Sequence, residues 1–353
     1  MNIADKIDIV FERTTKLGGK NDINKTNNYF DFEAWQWPQG VGMYGMYRAF
    51  KHSGNKQYID YIISWYERRF AEQPVQKNIN TVAPLYTLTY LYEEGFLKTE
   101  KVLKIFEEWA EWIMNTLPRA SCGGFEHFVE SGFNTEQQLW DDTLYMTVLF
   151  LARAGKILNR QDYINQAELQ FLIHIHYLCD TKTGLFYHGW HSTERHNFGK
   201  VLWGRGNSWL TAGLVDFIEI TQNAPVREFL TTVFKDQVDK LVELQDDDGM
   251  WHTVLDRLDV YPETSATAAI TYGILKGIRL NLIDSQKQVA TQKAIKALLC
   301  QIDDNGTVLN VSAGTTVGMS EEDYLKIPIQ ERIYGQSMML LALSEYLNKT
   351  VED

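Results

Sequence analysis

"WDDTLYMTVLFLARAG", residues 140–155, opens on a tryptophan and two adjacent aspartates, then carries no further charge until Arg153. Helices that are apolar on nearly every side lie inside a protein rather than on its surface. Five other stretches share this design, a polar or aromatic cluster followed by small and large apolar residues. They are "WQWPQGVGMYGMYRAF" (35–50), "NTVAPLYTLTYLYEEG" (80–95), "WGRGNSWLTAGLVDFIEI" (203–220), "ETSATAAITYGILKGI" (263–278) and "YGQSMMLLALSEYL" (334–347). With Trp37, Asn80, Asp142, Arg205, Glu263 and Tyr334 as leads, the intervals are 43, 62, 63, 58 and 71 residues. Recurrence of this regularity is what a repeat architecture leaves in a sequence.

The segments between are charged on one face and apolar on the other: "DKIDIVFERTTKL", "KQYIDYIISWYERRF", "EKVLKIFEEWAEWIMNTL", "RQDYINQAELQFLIHIHYL", "VREFLTTVFKDQVDKLVELQ" and "QKQVATQKAIKALL". Such helices lie outside, against a core. Six alternations of the two kinds predict an all-α protein, an (α/α)6 barrel of inner helices ringed by outer ones, as a single domain over residues 1–353. Strand signals are sparse, and "GGFEHFVE", "GLFYHGW" and "GMWHTVL" read as short β-hairpins at the ends of outer helices. In such a barrel the inner helices all begin at one end, so their leading residues surround a common mouth. Asp142, Ser208 and Thr264 stand where helix N-caps are expected.

Composition narrows the function. The chain has 353 residues and a net charge of −12, which repels phosphate backbones and argues against nucleic-acid binding. Ten Trp, 18 Tyr and 17 Phe exceed the needs of a core, and flat rings suit sugars. There is no signal-peptide core at the N-terminus and no apolar run long enough to span a membrane, so a cytoplasmic protein is expected. Cys122, Cys179 and Cys300 are too far apart in sequence for a metal knuckle and too few for a disulfide framework, and read as small buried side chains. No cofactor is expected, and a monomer or weak homodimer is.

Three histidines share a setting, a glycine and then an aromatic just before them: His127, His188 and His252. Placed upstream of lead clusters, all three would converge on the mouth. No HxxxH or HExxH pair stands on a helix face, so a metal site is not expected. His174 and His176 point to different faces of one helix and read as structural. Arg205, between glycines and tryptophans in "KVLWGRGNSW", sits with Lys200, Trp203, Asn207 and Trp209; its guanidinium fork suits a carboxylate, of a substrate or of a neighbouring side chain. Asp142 is the candidate acid. Burial beside Trp140 and Tyr145 and the like charge of Asp141 raise its pKa, whereas a close Arg205 lowers it. A second carboxylate across a cleft, which ordinary glycosidases need, is not apparent among the leads.

Together "WPQGVGMYGMY", "NTVAPLYTLTYLYEE", "LWDDTLYM", "TGLFYHGW", "WGRGNSWLTAGLVDF" and "YPETSATAAITYGILKGIR" resemble the unsaturated rhamnogalacturonyl hydrolases, glycoside hydrolase family 105, over about residues 28–347. The resemblance implies an (α/α)6 barrel acting on lyase-generated pectic oligosaccharides that end in a 4,5-unsaturated uronic acid. It implies that Asp142 protonates the vinyl ether and assists addition of water. It further implies that His188, Trp203, Arg205 and Trp209 bind the uronate, with Trp37 and His127 extending the wall. Asp141, from its place beside Asp142, reads as a supporting charge. Some relatives have Asp where this chain has Asn80, which can bind a hydroxyl or water but cannot exchange protons. Unsaturated glycosaminoglycan or ulvan fragments are the alternative substrates, and a histidine-dependent sugar epimerase or a silent sugar-binding barrel the alternative functions.

Overall fold

In a computed structural model of the protein, residues 2–17, 31–72, 75–129 and 134–350 are described. The outer helices are α1 (Ile3–Thr15), α3 (Lys56–Phe70), α5 (Glu100–Asn115), α7 (Gln161–Leu178), α9 (Ala224–Glu243) and α11 (Gln288–Cys300). The inner ones are α2 (Trp37–Ser53), α4 (Ile79–Glu93), α6 (Leu149–Ile157), α8 (Gly204–Ile220), α10 (Thr264–Arg279) and α13 (Ile333–Thr350); the short α12 (Glu321–Leu325) precedes the last. Inner helices pack in chain order, and α13 packs on α2 to close the ring. Composition explains the sorting: α8 buries every residue except Glu219, whereas α5 buries only the stripe Val102, Phe106, Trp109, Ala110 and Ile113.

The structure corrects three local expectations. Ser208 lies inside α8, which begins after Trp203, and Thr264 is the first residue of α10, whose cap is Glu263 accepting from the Ala266 N–H. The three histidine segments pair less regularly than expected: isolated antiparallel bridges join Arg119 to Phe125, Cys179 to Phe186 and His252 to Pro262, and Val254 also bridges to Trp203. Instead β1 (Gln138–Trp140) pairs antiparallel with β2 (Gly189–His191), which fastens the start of the third inner helix to the His188 segment. Glu130 of the first expected hairpin lies outside the described residues. Finally, Cys122 and Cys179 are only half-buried and Cys300 is exposed. Among the described residues no helix is long and apolar enough to cross a membrane.

The third inner helix is irregular. Asp142 and Thr143 start it, residues Leu144–Val148 form a π-helical turn, and α6 follows. The wider turn changes the angular position of everything before it, and such turns concentrate at functional sites.

The barrel's far end is held by charge. Lys276, fully buried, donates to Asp216 (2.7 Å) and pairs with Glu219 (2.7 Å), while Asp216 also accepts from Tyr272 (2.6 Å) and Tyr86 (3.3 Å). Removing one partner of a buried pair strands the other. Lys276→Met is therefore expected to destabilise the fold by about 3–5 kcal/mol in denaturant unfolding. Lys276 lies twelve residues along α10 from its first residue, about 18 Å from the mouth, so KM should not change.

Candidate active site

The mouth is lined by an unbroken series of contacts running from α2 to the start of the third inner helix. Trp37, first residue of α2, stacks on Tyr334 of α13 at 4.8 Å. The Arg205 guanidinium lies 5.1 Å from the Tyr334 ring and 4.5 Å from the Trp203 ring. Trp203 meets His188 at 4.4 Å, His188 meets the edge of Trp140 at 5.5 Å, and Trp140 stacks on His127 at 4.1 Å. His127 Nδ1 ends the series 3.3 Å from Asp142 Oδ1 and 2.9 Å from Thr143 Oγ1. Trp209 joins from α8, edge-on to Trp37 at 6.0 Å and against Tyr145 at 5.1 Å.

The two aspartates differ in environment. Asp142 keeps 19% of its side chain open, whereas Asp141 is fully buried. Among the described residues, neither Asp141 oxygen nor Asp142 Oδ1 has a hydrogen-bond partner. Burial pushes Asp142 up to about 7, against the opposing pull of neighbouring backbone N–H groups and of Arg205. Burial, and then the charge of Asp142, push the Asp141 carboxyl well above the ordinary carboxylate range, favouring its neutral form. Asp141 packs under the first turn of α8, where a Cβ on Gly206 would collide with its Oδ2. A Cβ on Gly204 would come 2.5 Å from the His252 carbonyl. Both glycines of "WGRGNSW" are thus demanded by close approach, the second by the acid pair itself.

Burial also depresses both site imidazoles, His127 to about 3 and His188 well below its ordinary value. They are neutral hydrogen-bonding groups, which leaves Asp142 as the titrating acid. His252 does not join them: its Nδ1 is 2.6 Å from the Val260 carbonyl and its Nε2 3.0 Å from Asp246. His174 is buried in α7 against the Gln170 carbonyl (2.9 Å) and His176 is exposed, so that pair divides as expected.

Arg205 is buried as anticipated, but its fork is committed. Nη1 donates to the Ser312 carbonyl (2.6 Å) and Oγ (2.5 Å), and Nη2 to the Ala313 carbonyl (2.5 Å). Glu263 Oε1 stands 3.9 Å away, accepting from the Ser312 N–H (2.8 Å). Arg205 and Glu263 therefore clamp the 312–313 segment, rather than offering a free fork to a ligand carboxylate. Asn207 does similar work: its side chain bonds both the N–H (2.8 Å) and the carbonyl (2.8 Å) of Phe186, two residues before His188. Lys200, expected in this cluster, is exposed on a turn. Asn80 sits in the first turn of α4, 8% exposed, after its cap Asn78.

Sequence reading missed Tyr324, Tyr145 and Ser312. No motif marks Tyr324, which reaches His188 from the short helix α12 far along the chain; Tyr145 was visible only as a neighbour of Asp142. Among the described residues no cluster of His, Cys, Asp and Glu could hold a metal ion.

The model of Glycosyl Hydrolase Family 88 matches residues 15–350. The chain belongs to this family. It is a glycoside hydrolase, then, and its relatives agree. It is 32% identical to the unsaturated rhamnogalacturonyl hydrolase YesR of Bacillus subtilis, covering 96% of this chain and 97% of that one. A solved structure of a possible member of glycoside hydrolase family 105 from Klebsiella pneumoniae superposes with a TM-score of 0.93 at 39% identity, covering 99% of this chain and 93% of that one. A second possible member, from Salmonella enterica, gives 0.93 at 38% identity, covering 99% and 94%. The family 105 resemblance carried by the motifs and the barrel architecture both stand.

Proposed function

We propose that this glycoside hydrolase removes a 4,5-unsaturated uronic acid from the non-reducing end of pectic, rhamnogalacturonan-derived oligosaccharides by hydrating the C4=C5 bond, with Asp142 as acid and then base. The observation that carries this reading is that Asp142 alone of the adjacent acids is partly open, 3.3 Å from His127, with burial raising its pKa. Of the other carboxyl groups at the mouth, Asp141 is fully buried and Glu263 is engaged by the Ala266 N–H, Ser265 Oγ and the Ser312 N–H. Direct cleavage of a glycosidic bond needs two working carboxylates. Hydration of a vinyl ether needs one, because the same group serves both proton transfers. The relationship to YesR supports the rhamnogalacturonyl substrate.

The steps balance on one water. Asp142 gives its proton to C4, and the ring oxygen supplies the electrons that leave positive charge at C5. Water, deprotonated by the Asp142 carboxylate, adds to C5. The resulting hemiketal passes its hydroxyl proton to the ring oxygen as the C5–O bond breaks, giving a ketone at C5 and a hemiacetal at C1. That hemiacetal passes its hydroxyl proton to the next sugar's oxygen as the C1–O bond breaks, leaving an aldehyde. Neutral Asp141 beneath α8 keeps a second negative charge from building up beside Asp142. The Trp37, Trp203, Trp209 and Trp140 rings supply flat faces for the sugars and exclude bulk water.

A panel of lyase-generated disaccharides, followed by loss of the ultraviolet absorbance of the conjugated double bond, tests the reaction and ranks the sugars. Persistent absorbance with every member would overturn it. Because the protonated acid starts the reaction, kcat/KM should fall as pH rises through about 7, the value to which Asp142 is raised. An alkaline limb nearer the pKa of free aspartic acid would remove Asp142 from that role.

A further inference from the structure

His188 has one ring nitrogen bonded within the protein and one, Nε2, with no partner among the described residues. Its Nδ1 lies 2.9 Å from the hydroxyl of Tyr324, a residue only 1% exposed. The same hydroxyl lies 2.9 Å from the backbone nitrogen of Gly318. A backbone N–H can only donate, so the Tyr324 oxygen accepts from Gly318. Among the described residues the hydroxyl proton then has one acceptor within reach, His188 Nδ1. Were Nδ1 itself to carry hydrogen, the hydroxyl proton would be buried with nothing to bind, a costly arrangement.

We infer that Tyr324, fixed by Gly318, is a positioning residue that locks His188 in the neutral tautomer with hydrogen on Nε2. Burial of both rings acts in the same direction, keeping the phenol protonated and the imidazole uncharged. Two consequences follow. His188 offers a ligand only a donor, so it recognises an acceptor oxygen, which on the proposed function above is one of the unsaturated uronate. It also cannot take a proton at Nε2, so it is excluded as the general base on which a histidine-dependent epimerase would rely, and both proton transfers fall to Asp142.

The packing around Tyr324 is suited to the task. Its ring lies 5.4 Å from Trp203 and 5.7 Å from His188, within a small apolar cluster with Val201, Val254, Ala313 and Ile327. Tyr324→Phe keeps that packing and deletes the hydroxyl alone.

The test is nitrogen-15 NMR of histidine-labelled protein, with the His188 signals assigned by their loss in His188→Gln. Wild type should show a hydrogen-bearing Nε2 and a bare Nδ1, unchanged over the range in which free imidazole titrates. A hydrogen on Nδ1, or a ring that titrates there, would overturn the inference. In Tyr324→Phe the tautomers should mix, and KM for the unsaturated disaccharide should rise about tenfold with a smaller change in kcat. An unaltered tautomer together with an unaltered KM would overturn the role of Tyr324. If that variant does not fold, the wild-type spectrum alone decides. The spectrum is independent of which sugar is turned over, so failure of the substrate assignment would leave it standing and be recognised separately.

Discussion

Asp142→Asn is expected to lower kcat about a thousandfold while leaving KM close to wild type, measured by loss of the substrate's ultraviolet absorbance. Asparagine preserves the shape beside His127 and Thr143 but has no proton to give to C4. A variant retaining a tenth of wild-type kcat would remove Asp142 from the proton transfer. The same substitution should stabilise the protein above neutral pH. In the folded chain this carboxyl is raised to about 7, whereas in the unfolded chain its value is about 3.9. The folded state therefore binds more protons between these values. The stability associated with the neutral carboxyl is complete below the lower value and is lost as pH rises through the upper one. A gap of roughly three pH units corresponds to about 4 kcal/mol as an upper bound. Asparagine has no charge to bury, so the variant's advantage in unfolding midpoint should be largest in alkali and vanish in acid. A constant difference across pH would show that Asp142 is not held protonated by the fold.

The barrel was legible because its information is periodic. Helices buried on all sides and helices with one solvated face alternate along the chain, and the two kinds can be sorted only as an inner and an outer ring. Most of the mouth followed from that topology, since inner helices begin at one end and bring Trp37, Asp142, Arg205 and Trp209 with them. What sequence could not show was side-chain commitment. His127, His188 and His252 share one local pattern, yet Asp246 and the Val260 carbonyl occupy the third ring while the first two lie against tryptophans. Arg205 has the setting of a ligand-binding arginine, and only the loop at 312–313 reveals what takes its fork. Tyr324 is invisible for a similar reason: its partner His188 is 136 residues away, and no local spacing announces the contact. The π-helical turn after Asp142 leaves no signature in hydrophobic periodicity, because its residues are buried all round.

Arg205→Met should raise KM about tenfold, destabilise the protein by about 2–4 kcal/mol and move the alkaline limb of kcat/KM to higher pH. Loss of the fork frees the Ala313 carbonyl and weakens the hold on Ser312, which Glu263 and the Tyr334 hydroxyl still bind (2.8 and 2.5 Å). The segment they hold leads to Gly314, where an added Cβ would lie 3.7 Å from the Trp37 ring, so loosening it opens one side of the mouth. The shift of the limb has a separate cause. The guanidinium favours the ionised form of Asp142, so its removal lets burial raise that carboxyl further. Arg205→Lys separates the two effects. Lysine keeps the charge and should leave the limb near its wild-type position, but a point charge cannot bond two successive carbonyls and a hydroxyl as the planar fork does. KM should therefore stay raised in the lysine variant as in the methionine one. Recovery of wild-type KM by lysine would mean that the charge, acting on the substrate, is the working property of Arg205 and the clamp is incidental.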